Sequence, residues 1–144
     1  METKILTIND AQQIHFISTE QFREESWSLE QICNSLDNNT NICVGVFVDD
    51  SLACYAIAQN SLDDVNLLLI ATQEKQKQKG YAKLLLTYLE DVAKNGNKTF
   101  SLEVKSTNIS AINLYQKFGF ETIHIRKKYY KDGADALIMF QQKI

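Results

Sequence analysis

The sequence predicts an α/β protein, in which about four helices pack on a mixed sheet of about seven strands. Segments with the period of a strand and segments with the period of a helix follow one another along the whole chain. Two β-rich arms within residues 41–60 flank the turn residues "DDS", which is the pattern of a hairpin. A nearly continuous apolar run at 64–72 leads through a short loop with glycine into a helical run.

The N-terminal part predicts one strand and two helices. A short strand at 3–8 is followed by a helix at 10–22, whose apolar side chains recur roughly at helical spacing and for which Asp10 is the expected N-cap. A second helix is predicted at 27–39. It begins with the Ser-x-x-Gln spacing of a capping box, in which each side chain bonds the other residue's backbone N–H.

The run at 64–72 is apolar almost throughout, so we expect a strand that is buried on both faces. The helix that follows, at 81–96, is expected to stop at Gly96. The next strand, at 98–106, alternates apolar and polar side chains, and a helix at 109–120 comes after it.

Two further strands are predicted at 121–130 and 134–144, joined at the residues "KDG". No proline, low-complexity tract or repeat suggests a linker. We therefore expect a single domain over residues 1–144.

Composition narrows the classes of function. The chain has 144 residues, is 44% hydrophobic and carries a net charge of −3, which fits a globular domain and argues against general nucleic-acid binding. No apolar run approaches the roughly 20 residues of a membrane span, and the first residues lack the apolar core of a signal peptide, so we expect a cytoplasmic protein without membrane contact. The three cysteines have no metal-site spacing, so free thiols and no metal are expected.

The stretch from 74 to 83 places four lysines around a glycine at the start of a helix. The first N–H groups of a helix have no intrahelical partners, and the helix dipole adds partial positive charge there. Gly80 lets the backbone approach a ligand closely, and the lysines add a local cationic field. The stretch therefore predicts a phosphate site, with a solvated basic turn as the alternative.

Two segments resemble the GCN5-related N-acetyltransferases. "KQKGYA" at 77–82 is similar to the family's pyrophosphate loop, Gln/Arg-x-x-Gly-x-Gly/Ala, with Lys77 in place of the usual Gln or Arg and Ala82 in place of the commoner Gly. "NISAINLYQKFGF" at 108–120 is similar to its N-x-x-A-x-x-L-Y-x-x-x-G-F segment. The resemblance covers essentially the whole chain. "LEVKSTN", "RKKYY" and "WS" are most similar to the bacterial ribosomal-protein-alanine N-acetyltransferases.

The resemblance implies a mostly antiparallel sheet and acetyl-CoA as cosubstrate. It assigns pantetheine to the fourth strand, which in the family splays away from the fifth, and there a backbone N–H can serve as an oxyanion donor. Asn108 is expected to contact the cofactor, although capping its helix would be a sufficient explanation. The implied cofactor residues are Ile70, Ala71, Thr72, Lys77, Gln78, Lys79, Gly80, Tyr81, Ala82, Lys83 and Asn108.

The resemblance also implies two catalytic residues. Glu103 matches the glutamate of "LEV" that is the proposed proton acceptor, whereas the alternation alone favours an exposed carboxylate on a sheet face. Tyr115 is the candidate acid, because a phenol with a pKa of about 10 can protonate a departing thiolate. A core aromatic is the alternative for Tyr115.

The implied acceptor is a protein or peptide N-terminus, such as that of a ribosomal protein. Tyr129 and Tyr130 are expected to wall its site. For Trp27 the sequence favours a packing role, with a place in the acceptor groove as the alternative, and the two histidines are expected to be structural. The same chemistry on a small amine or a lysine is one alternative. A non-catalytic CoA-binding module is another, and the presence of both Glu103 and Tyr115 argues against it.

Overall fold

The computed structural model describes residues 1–141, and its elements follow the predicted order. The strands are β1 (Glu2–Ile5), β2 (Asn41–Val48), β3 (Ser51–Asn60), β4 (Asp64–Thr72), β5 (Thr99–Lys105), β6 (Phe120–Arg126) and β7 (Ala136–Gln141). The α-helices are α1 (Ala11–Phe22), α2 (Leu29–Asp37), α3 (Tyr81–Asn95) and α4 (Ile109–Lys117). The last predicted strand runs on to 144, and its residues 142–144 lie outside the described part of the chain.

All seven strands belong to one sheet, in the order β1-β2-β3-β4-β5-β7-β6. Every neighbouring pair is antiparallel except β4 and β5, which run parallel. Parallel neighbours need a crossover, and α3 provides it. The mixed, mostly antiparallel sheet with four helices that was expected from the sequence is therefore confirmed.

The helices cover the two faces of the sheet unequally. On one face, side chains of α3 and α4 pack on β2 to β7, around buried residues such as Leu86, Leu102 and Met139. On the other face, α1 and α2 form a second core with β2, β3 and β4, which contains no residue of β5, β6 or β7. One face of the β5–β7–β6 half of the sheet thus receives no helical layer from residues 1–141. None of the helices between residues 1 and 141 is long and apolar enough to cross a bilayer.

β4 changes the face that it buries at Leu68. Its pairing with β3 shifts register between Leu67 and Leu69, which leaves Leu68 as the extra residue of a bulge. Leu67 packs in the core beneath α3, whereas Leu69 and Ala71 pack in the core beneath α1. The expectation of a strand buried on both faces was wrong for this half of β4, since Leu68 is 37% exposed and Ile70 is only half-buried.

β4 and β5 pair over a short stretch and then part. Their register runs from Asp64↔Thr99 to Leu67↔Leu102 and ends there. Beyond it, residues 69–72 of β4 have a partner on the β3 side but none in β5 among the described pairings, and Leu68 pairs with neither strand. The bulge lies at the point of parting, so the bend that it introduces opens the sheet between two neighbouring strands. The splay that the resemblance implied is observed.

The expected cap of α1 was wrong. Asp10 has a helical backbone conformation and makes no cap bond to α1. Its carboxylate instead accepts the N–H of Thr7 at 2.8 Å, in a capping box of the 3-10 turn Ile8–Asp10. Because this turn runs directly into α1, the cap has moved upstream to Thr7, and the first strand ends at Ile5.

The capping box of α2 is confirmed. Ser28 Oγ accepts the N–H of Gln31 at 3.1 Å, and Gln31 Oε1 accepts the N–H of Ser28 at 2.8 Å. At the end of α3, Gly96 keeps an ordinary backbone conformation, and the left-handed residue is Asn97, with φ of 55°. Asparagine tolerates this region better than most residues. The helix therefore stops at the expected position, but the left-handed residue that ends it is Asn97 and not Gly96.

The sixth strand is shorter than predicted. It ends at Arg126, and a turn with φ of 52° at Lys128 follows, so Tyr129 and Tyr130 lie in a loop and not on a strand. The predicted three-residue connection is therefore a loop from 127 to 135. Its tip is closed by internal bonds, in which Tyr130 donates to the carbonyl of Ala134 and accepts from the N–H of Gly133.

Candidate active site

The opening between β4 and β5 continues into a cleft of about 1020 Å³. Its walls are β4, the loop before α3, the first turn of α3, the end of β5, the start of α4 and the loop between α1 and α2. Of the sixteen residues predicted for the site, fourteen line it: Trp27, Ile70, Ala71, Thr72, Lys77, Gln78, Gly80, Tyr81, Ala82, Lys83, Glu103, Asn108, Tyr115 and Tyr130. Lys79 and Tyr129 do not line the cleft.

The loop before α3 has the backbone conformation that its glycine allows. Gly80 has φ of 82° and stands at the N-cap position of α3, and Gln78 has φ of 64°. Glycine adopts this left-handed region without a steric penalty. A Cβ built on Gly80 would meet no atom within 4 Å, so the space beside the loop is open to a ligand.

The N–H groups of residues 78–83 make no hydrogen bond with any other residue between 1 and 141. The last three belong to the first turn of α3, a helix of 15 residues, whose dipole adds partial positive charge at this end. A run of six free donors at a helix N-terminus fits an anionic group such as a phosphate.

One of the four lysines of this loop has its charge offset by a carboxylate, and another bonds a neutral amide. Lys77 Nζ lies 2.8 Å from Oε2 of Glu74, and Lys79 Nζ donates to Oε1 of Gln76 at 2.9 Å. The hydrogen bond from Lys77, followed by one from Gln21, lowers the pKa of Glu74, so this carboxylate stays ionised beside the loop. The free N–H groups therefore attract an anion together with Lys75, Lys79 and Lys83, which have no carboxylate partner among the described residues.

Asn108 has the capping role that its position suggested. Its Oδ1 accepts the N–H of Ala111 at 3.3 Å at the start of α4, and its side chain also lines the cleft. The cap fixes the first turn of α4 and with it the direction in which Tyr115 projects, two turns further along the helix.

Tyr115 combines a packed ring with an unpaired hydroxyl. The residue is 6% exposed, and its ring packs edge-on against Phe120 at 5.9 Å between centroids. No residue of the described chain bonds its hydroxyl. Burial raises the pKa of Tyr115 above its ordinary value, because the phenolate would lose its hydration. The side chain therefore stays protonated at neutral pH and can act as a hydrogen-bond donor.

Glu103 reaches the cleft from the other face of the sheet. It alternates with Leu102 and Val104, which pack beneath α3 and α4, so its carboxylate lies on the face that no helix covers. The side chain is 34% exposed, and Nε of Arg126 lies 3.8 Å from its Oε1. Glu103 and Tyr115 thus approach the opening between β4 and β5 from opposite faces, one with a proton acceptor and one with a donor.

The sequence analysis missed Lys105 and its partners. Lys105 lines the cleft, and its ammonium forms ion pairs with Glu25 at 2.6 Å and Asp132 at 2.7 Å. The hydrogen bonds to these carboxylates, that to Asp132 first, raise the pKa of Lys105. The strand alternation could have indicated Lys105, since it lies two residues after Glu103. The two partners lie in loops, where no pattern marks them.

The cysteines are free and take no part in the cleft. Cys43 and Cys54 are buried, and burial raises the pKa of each thiol to about 11, so both remain protonated at neutral pH. Cys33 is half-buried on α2. Over residues 1–141 no cluster of three or more His, Cys, Asp and Glu side chains is placed to hold a metal ion.

Comparison with families and known sequences gives two results. The model of the acetyltransferase (GNAT) family matches residues 6–120. The [ribosomal protein bS18]-alanine N-acetyltransferase of Salmonella typhimurium is 37% identical over 95 residues, which cover 63% of this chain and 64% of that protein. The chain thus aligns with less than two thirds of this relative's length.

Comparison with solved structures shows the same fold. The ribosomal-protein-S18-alanine N-acetyltransferase from Escherichia coli superposes with a TM-score of 0.87 and 28% identity, over 97% of this chain and 92% of that one. The PaiA N-acetyltransferase from Thermoplasma acidophilum, solved in complex with coenzyme A, superposes with a TM-score of 0.80 over 99% of this chain and 98% of that one. At 17% identity this second likeness is one of fold alone.

Replacement of Tyr115 by Phe should reduce the loss of stability at alkaline pH. The pKa of Tyr115 is raised in the folded chain, whereas the unfolded chain has the ordinary value of about 10. The folded state therefore holds the proton more tightly, and its stability is lost as the pH rises above about 10, by up to about 1.4 kcal/mol per pH unit for this group. Urea unfolding between about pH 8 and pH 11 measures the difference.

The matched control is Tyr88→Phe, since that tyrosine of α3 is 37% exposed and its loss should leave the slope of the parent unchanged. The pKa values of Tyr55, Tyr130, Cys43 and Cys54 are also raised, and their contribution to the alkaline loss of stability is the same in all three proteins and cancels in the comparison. A Tyr115→Phe protein with the same alkaline slope as the parent would contradict the burial of this phenol.

Proposed function

Since the chain belongs to the acetyltransferase (GNAT) family, we propose that it transfers the acetyl group of acetyl-CoA to the α-amine of a protein N-terminus. The observation that carries the proposal is the opening between β4 and β5, with Glu103 and Tyr115 on its opposite faces. Similarity to the ribosomal-protein-alanine N-acetyltransferases supports the same acceptor class, with a ribosomal protein as the first protein to test.

Two sets of unpaired backbone groups fit the cosubstrate: the N–H groups before and at the start of α3, and the groups of β4 that face β5. Its pyrophosphate would accept hydrogen bonds from the N–H groups of residues 78–83. The amide groups of its pantetheine arm would pair with residues 68–72 of β4, on the side where β5 has turned away. Its thioester would then lie between β4 and β5, within reach of both faces of the sheet.

The reaction divides between the two faces. Glu103 takes the proton of the incoming ammonium, and the neutral amine attacks the thioester carbonyl to form the new C–N bond. The oxyanion accepts a hydrogen bond from a free N–H of residues 70–72. As the C–S bond breaks, the electron pair leaves on sulfur, Tyr115 donates a hydrogen bond to the sulfur, and the nitrogen releases its second proton to water in the cleft. The products are the N-acetylated amine and the CoA thiol.

The raised pKa of Tyr115 limits what this residue can do. Burial disfavours the phenolate and a bare thiolate beside it alike, so the phenol keeps its proton and shares it with the developing thiolate in a hydrogen bond. In the proposed mechanism Tyr115 therefore stabilises the developing thiolate by hydrogen bonding. The thiolate takes up a proton equivalent to the second one released by the nitrogen, through water that enters the cleft as the product leaves.

An α-amine suits a single carboxylate base better than a lysine does. Its pKa of about 7.7–8.0 leaves a substantial neutral fraction at physiological pH, whereas that of lysine is about 10.4. Transfer to a small amine or a lysine would need a stronger base. A non-catalytic CoA-binding module would need neither Glu103 nor Tyr115.

Three classes of acceptor separate these functions. The parent protein is incubated with acetyl-CoA and peptides that begin with a small residue, N-blocked peptides with an internal lysine, and polyamines. Mass spectrometry should find acetyl groups on the α-amines of the first class. Products only from the second or third class would contradict the proposed acceptor. Tight binding of acetyl-CoA without any product would indicate a binding module.

Replacement of Gly80 by Trp should abolish the binding of CoA. The bulky side chain would fill the space beside the free N–H groups, where the pyrophosphate is proposed to lie. Gly133→Trp is the matched control, because Gly133 also has positive φ, of 86°, and also has no atom within 4 Å of its Cβ position. Calorimetry should find parental CoA affinity in Gly133→Trp, and parental affinity in Gly80→Trp would place the pyrophosphate elsewhere.

Replacement of Glu103 by Gln should lower kcat/KM for the peptide by roughly 10²–10⁴-fold, the usual contribution of positioned proton transfer. The defect should shrink above about pH 8, where the α-amine is already neutral. Tyr115→Phe should lower kcat with little change in CoA affinity. Glu121→Gln, an exposed carboxylate of β6 outside the cleft, is the control. If Glu103→Gln and Tyr115→Phe both keep a kcat/KM close to that of Glu121→Gln and the parent, neither residue takes part in the mechanism.

A further inference from the structure

Lys105 joins two loops that are far apart in the sequence. Its ammonium lies 2.6 Å from Oε1 of Glu25, in the connection between α1 and α2, and 2.7 Å from Oδ2 of Asp132, in the β6–β7 loop. It also lies 5.3 Å from the ring centroid of Tyr130. The side chain of Lys105 is only 20% exposed, so these contacts are partly shielded from solvent.

The two loops comprise residues 23–28 and 127–135. Their other hydrogen bonds lie within each loop or join it to elements other than the second loop. Ser26 donates to the carbonyl of Arg23, and Tyr130 exchanges bonds with Gly133 and Ala134. Apart from the ion pairs of Lys105, no hydrogen bond or ion pair joins one loop to the other within the described residues.

Lys105 also balances the charge between the loops. Without its ammonium, the carboxylates of Glu25 and Asp132 would face each other across the same space, and that of Glu103 lies on the same face of β5. Two carboxylates that both lie within hydrogen-bond distance of one ammonium repel each other when that ammonium is removed. The loss of Lys105 would therefore drive the two loops apart as well as release them.

We propose that Lys105 is a positioning residue that sets the distance between the two walls of the acceptor half of the cleft. Trp27 follows Glu25 by two residues, and Tyr130 precedes Asp132 by two residues, so the aromatic side chains that line the cleft are carried by the loops that Lys105 joins. The acceptor enters from the Glu103 face, between these walls. This reading of the cleft rests on the proposed function, whereas the tie between the loops does not.

The tie is tested without any acetyl transfer, by hydrogen–deuterium exchange of the full chain. Glu25→Gln should raise exchange in its own loop and also in residues 127–135. Asp132→Asn should likewise raise exchange in residues 23–28. In a Lys105→Met background, neither substitution should affect the distant loop further. Effects confined to the mutated loop in both variants would overturn the proposal.

The kinetic consequence is tested with a peptide that the parent acetylates. Lys105→Met should raise the KM for the peptide roughly tenfold, within the range of couplings measured between contacting residues, while CoA affinity stays within about twofold. Lys105→Arg keeps the charge and can contact both carboxylates, so it should restore most of the parental KM. Lys94→Met, which breaks the ion pair with Glu90 on α3 outside the cleft, is the matched control.

The outcomes distinguish the tie from a direct contact with the acceptor. If Lys105 binds the peptide itself, Lys105→Met raises KM but leaves exchange in both loops at the parental level, and the tie is refuted. Reciprocal exchange effects with an unchanged KM would also refute the positioning role. If the proposed function fails and no peptide is acetylated, the exchange experiment alone still decides whether Lys105 joins the loops.

Discussion

The parting of β4 from β5 is the constraint on which the rest of the site depends. The two strands pair over four residues and separate where Leu68 interrupts the alternation of β4. A bulge in one strand of a sheet bends that strand, and here the bend falls between two parallel neighbours whose connection, α3, lies on one face. The same feature supplies the cleft, a row of free backbone groups and a passage between the faces of the sheet.

The passage between β4 and β5 opens onto two different environments, because the helices of the described chain cover one face of the sheet here and leave the other face open. α3 and α4 cover one face of the sheet and bury Tyr115, and this burial keeps its phenol protonated. α1 and α2 reach only as far as β4 on the other face, so Glu103 and Lys105 stay accessible to an incoming molecule. A base near solvent and a donor in the interior suit a reaction in which a charged amine arrives from water and an uncharged thiol is produced.

Much of the fold could be predicted because its signals are local. The spacing of Ser28 and Gln31 specified a capping box, and the strand alternation correctly separated Glu103 from Leu102 and Val104. The failures have two physical causes. The bulge at Leu68 and the pairing of Lys105 depend on contacts between segments that the local pattern does not record. The cap at Thr7 and the ion pair of Lys77 with Glu74 are local, since each joins residues three apart, but each had a competing local candidate: Asp10 as the cap itself, and a cluster of lysines free of carboxylates.

The free edge of β4 has a consequence for the protein before any ligand arrives. Open strand edges usually lie at the rim of a sheet, where charged residues or proline discourage the addition of another strand. Residues 68–72 read "LLIAT" and carry neither, although their N–H and C=O groups toward β5 are unpaired. An extended segment of a neighbouring molecule can compete for this row of hydrogen bonds, and apolar segments of this kind are those that assemble into cross-β aggregates. A cosubstrate bound as proposed would take the place of a missing strand on this edge, and would exclude such a segment for as long as it remained in place.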